Sequence, residues 1–173
     1  MLYMFGFERA GVVMSDLYFV DPNPAKGQEG AEHGVRIEVR ELERGELRGT
    51  IYSAQPFSAG RPIWRVDLLE SVDGKPGSHD RTHHHPEFGS RWDPSSRVFD
   101  RGLSADPLGW LGERLNAADG PLAVLDERDK GALRAAVPEI VEAAGRLLAR
   151  VRDGELGVAP DGEPLTDARV GWL

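Results

Sequence analysis

Val35-Arg36-Ile37-Glu38-Val39-Arg40 alternates apolar and charged residues without a break. A period of two belongs to an extended strand with one buried face, because a helix would scatter Val35, Ile37 and Val39 around its axis. A second run, Arg61 to Glu70 (RPIWRVDLLE), sets Trp64, Val66 and Leu68 on one side and Ile63, Arg65, Asp67 and Leu69 on the other. The second side mixes charge with apolar residues, and two readings stand. Either Arg65 and Asp67 belong to cross-strand ion pairs on a half-covered face, or Asp67 looks into the mouth of a pocket. LRGTIYS (47–53) is expected as the return strand between these runs, with Glu43 to Glu46 as the turn. DLYFV (16–20), stopped by Asp21-Pro22-Asn23-Pro24, is expected to add a fourth strand.

Residues 25–34, polar and glycine-rich, read as a loop holding a solvated His33. From Val72 to Arg101 there is no sustained period, yet the stretch contains Phe88, Trp92 and Phe99. A long aperiodic connection with such residues is expected to be an ordered loop packed on the sheet. Helical signals take over beyond it. Asp106-Pro107 is an N-cap followed by proline at the first helical position, and Leu108, Leu111 and Leu115 form a stripe. Asp119-Gly120-Pro121 ends that helix, Asp126 opens another, and Pro138 is expected to kink or restart it. Ile140, Val141, Ala144, Leu147, Leu148 and Val151 give it an amphipathic face, and Gly154 closes it.

Strands first and helices last is an α+β order. The expected fold is a three- to four-stranded antiparallel meander, a long ordered His/Arg-rich loop, and two to three C-terminal helices packed on the sheet. Its expected core is Leu17, Phe19, Val35, Ile37, Val39, Ile51, Trp64, Val66, Leu68, Leu111, Leu115, Ile140, Ala144, Leu147 and Val151. Residues 1–173 read as a single domain. Residues 1–13, which lack a clear period, read as a disordered extension or as lying ahead of an alternative start at Met14. Residues 153–173 are a turn-rich tail, with Val170, Trp172 and Leu173 expected to fold back.

The absence of cysteine excludes disulfides, thiolate zinc sites and cysteine nucleophiles. It also fits a reducing compartment, and with no signal-like or membrane-spanning run the expectation is a soluble cytoplasmic protein. Net charge is −8, and its distribution is uneven. Residues 1–59 carry −3, residues 102–173 carry −5, and the stretch 60–101 is neutral. An acidic chain repels a phosphate backbone at long range, so no nucleic-acid partner is expected. An anion site, if there is one, belongs in the neutral stretch.

That stretch also holds four of the five histidines, in HDRTHHH (79–85). On an extended backbone His83 and His85 project to the same side and offer two imidazoles to one ion, while His84 points away. His79 is the expected third ligand, with Asp67, Asp80 or Asp100 completing or orienting the set. Histidine with carboxylate suits zinc, iron, nickel or manganese, and three protein ligands leave a position for water or substrate. Gly77, five residues, and His83-His84-His85 resembles the opening of the first cupin motif. Glu87 follows the histidines too closely for that motif, and no histidine comes later in the chain to supply a second one.

Two functional classes follow. One is a metal-dependent enzyme or metal-binding domain, with His79, His83 and His85 as ligands and Asp67 and Arg81 as catalytic candidates. Arg81 would bind a small acidic substrate there; in a metal-free version Arg81, Arg91, Arg97 and Arg101 would grip a small phosphorylated ligand beside acid–base histidines. The other is a non-catalytic acidic interaction module of the immunity or antitoxin type, masking a basic protein partner. No P-loop, dinucleotide fingerprint or nucleophile elbow points to a third class.

Overall fold

The computed structural model describes residues 1–89 and 92–160. Five strands, β1 (Leu2–Gly6), β2 (Ala10–Val20), β3 (Ala31–Arg44), β4 (Phe57–Ser71) and β5 (His83–His85), form one antiparallel sheet in the order β1-β2-β3-β4-β5. Helices α1 (Arg101–Ala105), α2 (Pro107–Ala117) and α3 (Glu127–Arg152) follow, with a 3-10 turn at Gly120–Val124. The α+β reading holds, with one strand more than expected. Among the described residues the single open sheet has no counterpart of the double-sheet roll that the cupin likeness would require.

The pleat divides the sheet into two unlike faces. Register pairs Val39 with Trp64, Ile37 with Val66 and Val35 with Leu68, and these residues join Val12 and Met14 beneath the helices. Leu111 and Leu115 of α2 and Leu133, Ile140, Ala144, Leu147 and Val151 of α3 close that core, and Trp64 stacks on Trp110 at 6.1 Å. The opposite face carries Ser15, Arg36, Glu38, Arg65 and Asp67, and among the described residues no helix covers it.

Several expected elements are placed differently. The return strand is β4 itself, starting at Phe57, not residues 47–53. Gly49 takes φ +106, Ser53 N–H donates to Thr50 carbonyl, and Gly45 N–H to Pro56 carbonyl, so 45–56 is a turning loop that leaves Ile51 84% exposed and outside the core. Phe19 lies on the open face and is only partly buried. Residues 2–6 are not an extension but an edge strand, and Ala10 to Val13 begin β2. β3 begins at Ala31, so His33 lies in a strand, opposite Glu70. The aperiodic stretch contributes β5 and the short helix α1, capped by Asp100 through Leu103 N–H (3.0 Å).

Helix α3 runs unbroken through Pro138, although proline cannot donate to the preceding turn. Val137 and Ile140, buried on either side of it, hold the two halves on one core. Asp106 and Asp126 cap α2 and α3 through Gly109 N–H (3.0 Å) and Asp129 N–H (2.8 Å). Among the described residues no helix is long and apolar enough to cross a membrane. Residues 161–173, including Val170, Trp172 and Leu173, lie outside the described residues.

Candidate metal centre

Antiparallel register lays two rows of side chains side by side across the open face. One is Leu2, Ser15, Arg36, Asp67, His83; the next is Met4, Val13, Glu38, Arg65, His85. The site is the end of these rows, where β5 meets β4. His83 pairs with Asp67 and His85 with Arg65, so the extended HHH segment sends its first and third imidazoles over β4. Gly34, opposite Leu69, lets β3 close on β4. A Cβ on it would meet the carbonyl oxygen of Leu68 at 2.0 Å, a clash that only glycine avoids.

Asp67, His83 and His85 are 1%, 1% and 6% exposed. Nδ1 of His83 lies 2.7 Å from the Arg81 carbonyl, and Nδ1 of His85 lies 2.6 Å from the Ser95 carbonyl. A carbonyl only accepts, so each Nδ1 carries a proton, and each ring turns its Nε2 toward Asp67. These two Nε2 atoms are 3.2 Å apart and stand 3.5 and 3.6 Å from Oδ2 of Asp67. Two imidazole nitrogens and a carboxylate oxygen thus converge in a buried site, where a cation or a shared proton would satisfy them.

From those three separations, the point equidistant from the atoms lies about 2.0 Å from each, the length of a zinc–imidazole or zinc–carboxylate bond. The cluster could therefore hold a divalent ion. The carbonyls of Arg81 and Ser95 do what outer partners of metal-binding histidines do: they set the tautomer and hold the rings. Ser95 is held in turn by its N–H donating to the Glu87 carbonyl (2.8 Å).

Asp67 has a second attachment. Arg36 donates to it twice, Nε to Oδ1 at 2.7 Å and Nη2 to Oδ2 at 3.1 Å. Burial alone would raise the Asp67 pKa; the Arg36 guanidinium, with His83 and His85 alongside, instead holds the carboxyl well below the usual carboxylate range. The ion pair on this face is thus Asp67 with Arg36, in the same row, while Arg65 pairs with Glu38 through Nε (2.7 Å). Both readings of the mixed face apply, since Asp67 also lines a cavity of about 280 Å³ with Phe19, Arg36, Arg65, Leu69, Pro94 and Arg97.

The other sequence candidates lie elsewhere. His79, at φ +52, sits 3.2 Å from Glu70 and near Arg152, and is not a third ligand. The turn through Asp80-Arg81 carries it to the end of β4 on the helix side. Burial holds its pKa below the usual histidine value, against the pull of Glu70. The Arg81 guanidinium is not in the cavity; it donates to the carbonyls of Gly27 (2.9 Å) and Glu29 (3.4 Å), and only its backbone serves the site. Asp80 accepts from Ser71 N–H and Ser78 Oγ, and Asp100 caps α1, so neither completes the set. Arg97 pairs with Glu32 at 2.9 Å rather than with Asp100, and Val98 and Phe99 stay largely exposed, Phe99 resting 5.5 Å from the His83 ring. Arg101 is exposed in α1, and Arg91 lies outside the described residues. His84 turns to the helix side against Trp110 (5.2 Å).

Arg36 is the functional neighbour that sequence reasoning missed. Its signal was present in the alternation of β3, but the partner depended on the register with β4. Comparison with protein-family profiles, with curated proteins and with solved structures finds no match for this chain.

Proposed function

We propose that this protein is a small metal-dependent enzyme, binding one divalent transition ion, zinc, iron, nickel or manganese, through His83, His85 and Asp67 and acting on a small acidic molecule in the adjoining cavity. The observation that carries the reading is the convergence of two tautomer-fixed Nε2 atoms and Oδ2 on a point at metal-bond distance from all three. Two histidines and one carboxylate leave positions open, as catalytic rather than structural sites do. A bound ion would supply Lewis acidity toward a water or a substrate oxygen. Arg36 keeps Asp67 ionised and oriented. Arg65 and Arg97 supply positive charge at the cavity wall, and Phe88 stacks on the Arg65 guanidinium (5.1 Å).

The bidentate hold of Arg36 on Asp67 favours a second reading, in which no metal binds and the histidine pair serves as acid and base beside an arginine-bound anion. Metal content of protein purified without a histidine tag separates the two. One equivalent of a transition ion, removed by a chelator together with activity, supports the metal centre. Absence of metal after equilibration with each of the four ions overturns it.

A further inference from the structure

Arg36, Arg65 and Arg97 each stand on a carboxylate that fixes the guanidinium but does not exhaust it. Arg36 spends Nε and Nη2 on Asp67; Arg65 spends Nε and Nη2 on Glu38; Arg97 spends Nη1 on Glu32. Among the described residues Nη1 of Arg36 and Nη1 of Arg65 make no hydrogen bond, and Nη2 of Arg97 has only Asp21, at 3.7 Å. Guanidinium groups already oriented, with donors left over, are what a planar or tetrahedral oxyanion needs, because little side-chain freedom remains to be lost. Arg36 and Arg65 also line a second cavity, of about 370 Å³, which extends toward β1 and has Leu2, Val13 and Ala59 in its wall. The two cavities meet at this arginine pair.

We propose that the ligand is an elongated organic acid whose carboxylate or phosphoryl group lies on the unused Nη groups of Arg36 and Arg65. Its reacting part lies at the histidine–aspartate centre, and its apolar segment runs over Leu2, Val13 and Ala59. This rests on the metal-centre reading of that cluster and adds the ligand class to it. Charge is consistent with one anion. Arg36, Arg40, Arg65 and Arg97 face only Asp67, Glu38 and Glu32, Glu38 being shared by Arg40 and Arg65, and a divalent ion adds to a surplus that Asp21 only partly cancels.

The test uses the zinc-loaded full chain with acetate, hexanoate and inorganic phosphate as probes, affinities being read by calorimetry and zinc by equilibrium dialysis. Hexanoate should bind about tenfold or more tightly than acetate, since each buried methylene contributes about fourfold. Val13→Gln should abolish that advantage and leave acetate binding unchanged. Arg65→Met should weaken every anion about tenfold, with zinc stoichiometry still one; if it fails to fold, Arg65→Lys, which keeps the charge but loses the paired Nη donors, takes its place. Phosphate binding more tightly than either carboxylate assigns the phosphoryl class. Zinc retained with no anion binding up to about 10 mM overturns the ligand proposal alone, as does equal affinity for acetate and hexanoate. Loss of zinc binding with anion binding intact overturns the metal reading and leaves the arginine subsite standing.

Discussion

At the residue scale the site depends on two carbonyl–imidazole contacts that set a tautomer, and substitutions should sort accordingly. His83→Ala and His85→Ala should each abolish retention of a transition ion, measured by elemental analysis. His84→Ala and His79→Ala should keep it, because those rings lie on the helix side and at the end of β4. His84→Ala should nevertheless lower stability by about 1 kcal/mol through lost contact with Trp110. Asp67→Asn leaves Arg36 facing a neutral amide and should cost about 1–3 kcal/mol, the arginine being partly solvated. The pH dependence has a definite sign. The folded-state pKa of Asp67 is lowered, so its contribution is complete above the unfolded value, about 3.9, and is lost as pH falls through the folded value. Acid unfolding monitored by circular dichroism should therefore be less steep below about pH 4 in Asp67→Asn than in the parent.

At the element scale, β5 is only three residues long, yet it decides the site. Its position is held by the Thr82 hydroxyl donating to the Leu69 carbonyl (3.0 Å) and by the two-way His84–Val98 backbone pair (3.0 Å each). Short edge strands with so little pairing are positioned by what surrounds them. Helix α3 presents the opposite case, long and overdetermined by its buried stripe. Pro138 is exposed within it and contributes no packing to offset the lost hydrogen bond. Pro138→Ala should raise unfolding free energy by about 1–3 kcal/mol in urea denaturation, with an unchanged denaturant slope. An unchanged or lower midpoint would mean that α3 has adapted its backbone to the proline.

At the scale of the whole molecule, the helices bury one sheet face and leave the other for polar rows, so stability and chemistry reside on opposite sides. Metal binding should couple to stability nonetheless, because the three ligands come from β4 and β5 and converge only in the folded chain. An ion present at about a hundred times its dissociation constant should add about 2.7 kcal/mol, seen as a rise in melting temperature. A protein carrying His83→Ala and His85→Ala together should show no such rise. An equal rise in both proteins would place the ion elsewhere.

Local sequence determined the α+β order, the buried stripes of β3, β4 and α3, the aspartate caps, and the common side of His83 and His85. Each follows from a period or a cap within about ten residues. The sequence alone misplaced what depended on partners far along the chain. LRGTIYS has strand-forming residues but no neighbour to pair with, while LYMFG, unremarkable by itself, becomes a strand because β2 lies beside it. His79 looked like a ligand from spacing, and a turn took it to Glu70. Arg36 and Asp67, thirty-one residues apart, became one ion pair only through strand register. Which carboxylate joins the histidines, and which arginines face the cavity, was decided in the tertiary structure, because a one-residue slip of β3 on β4 would have sent either side chain to the other face.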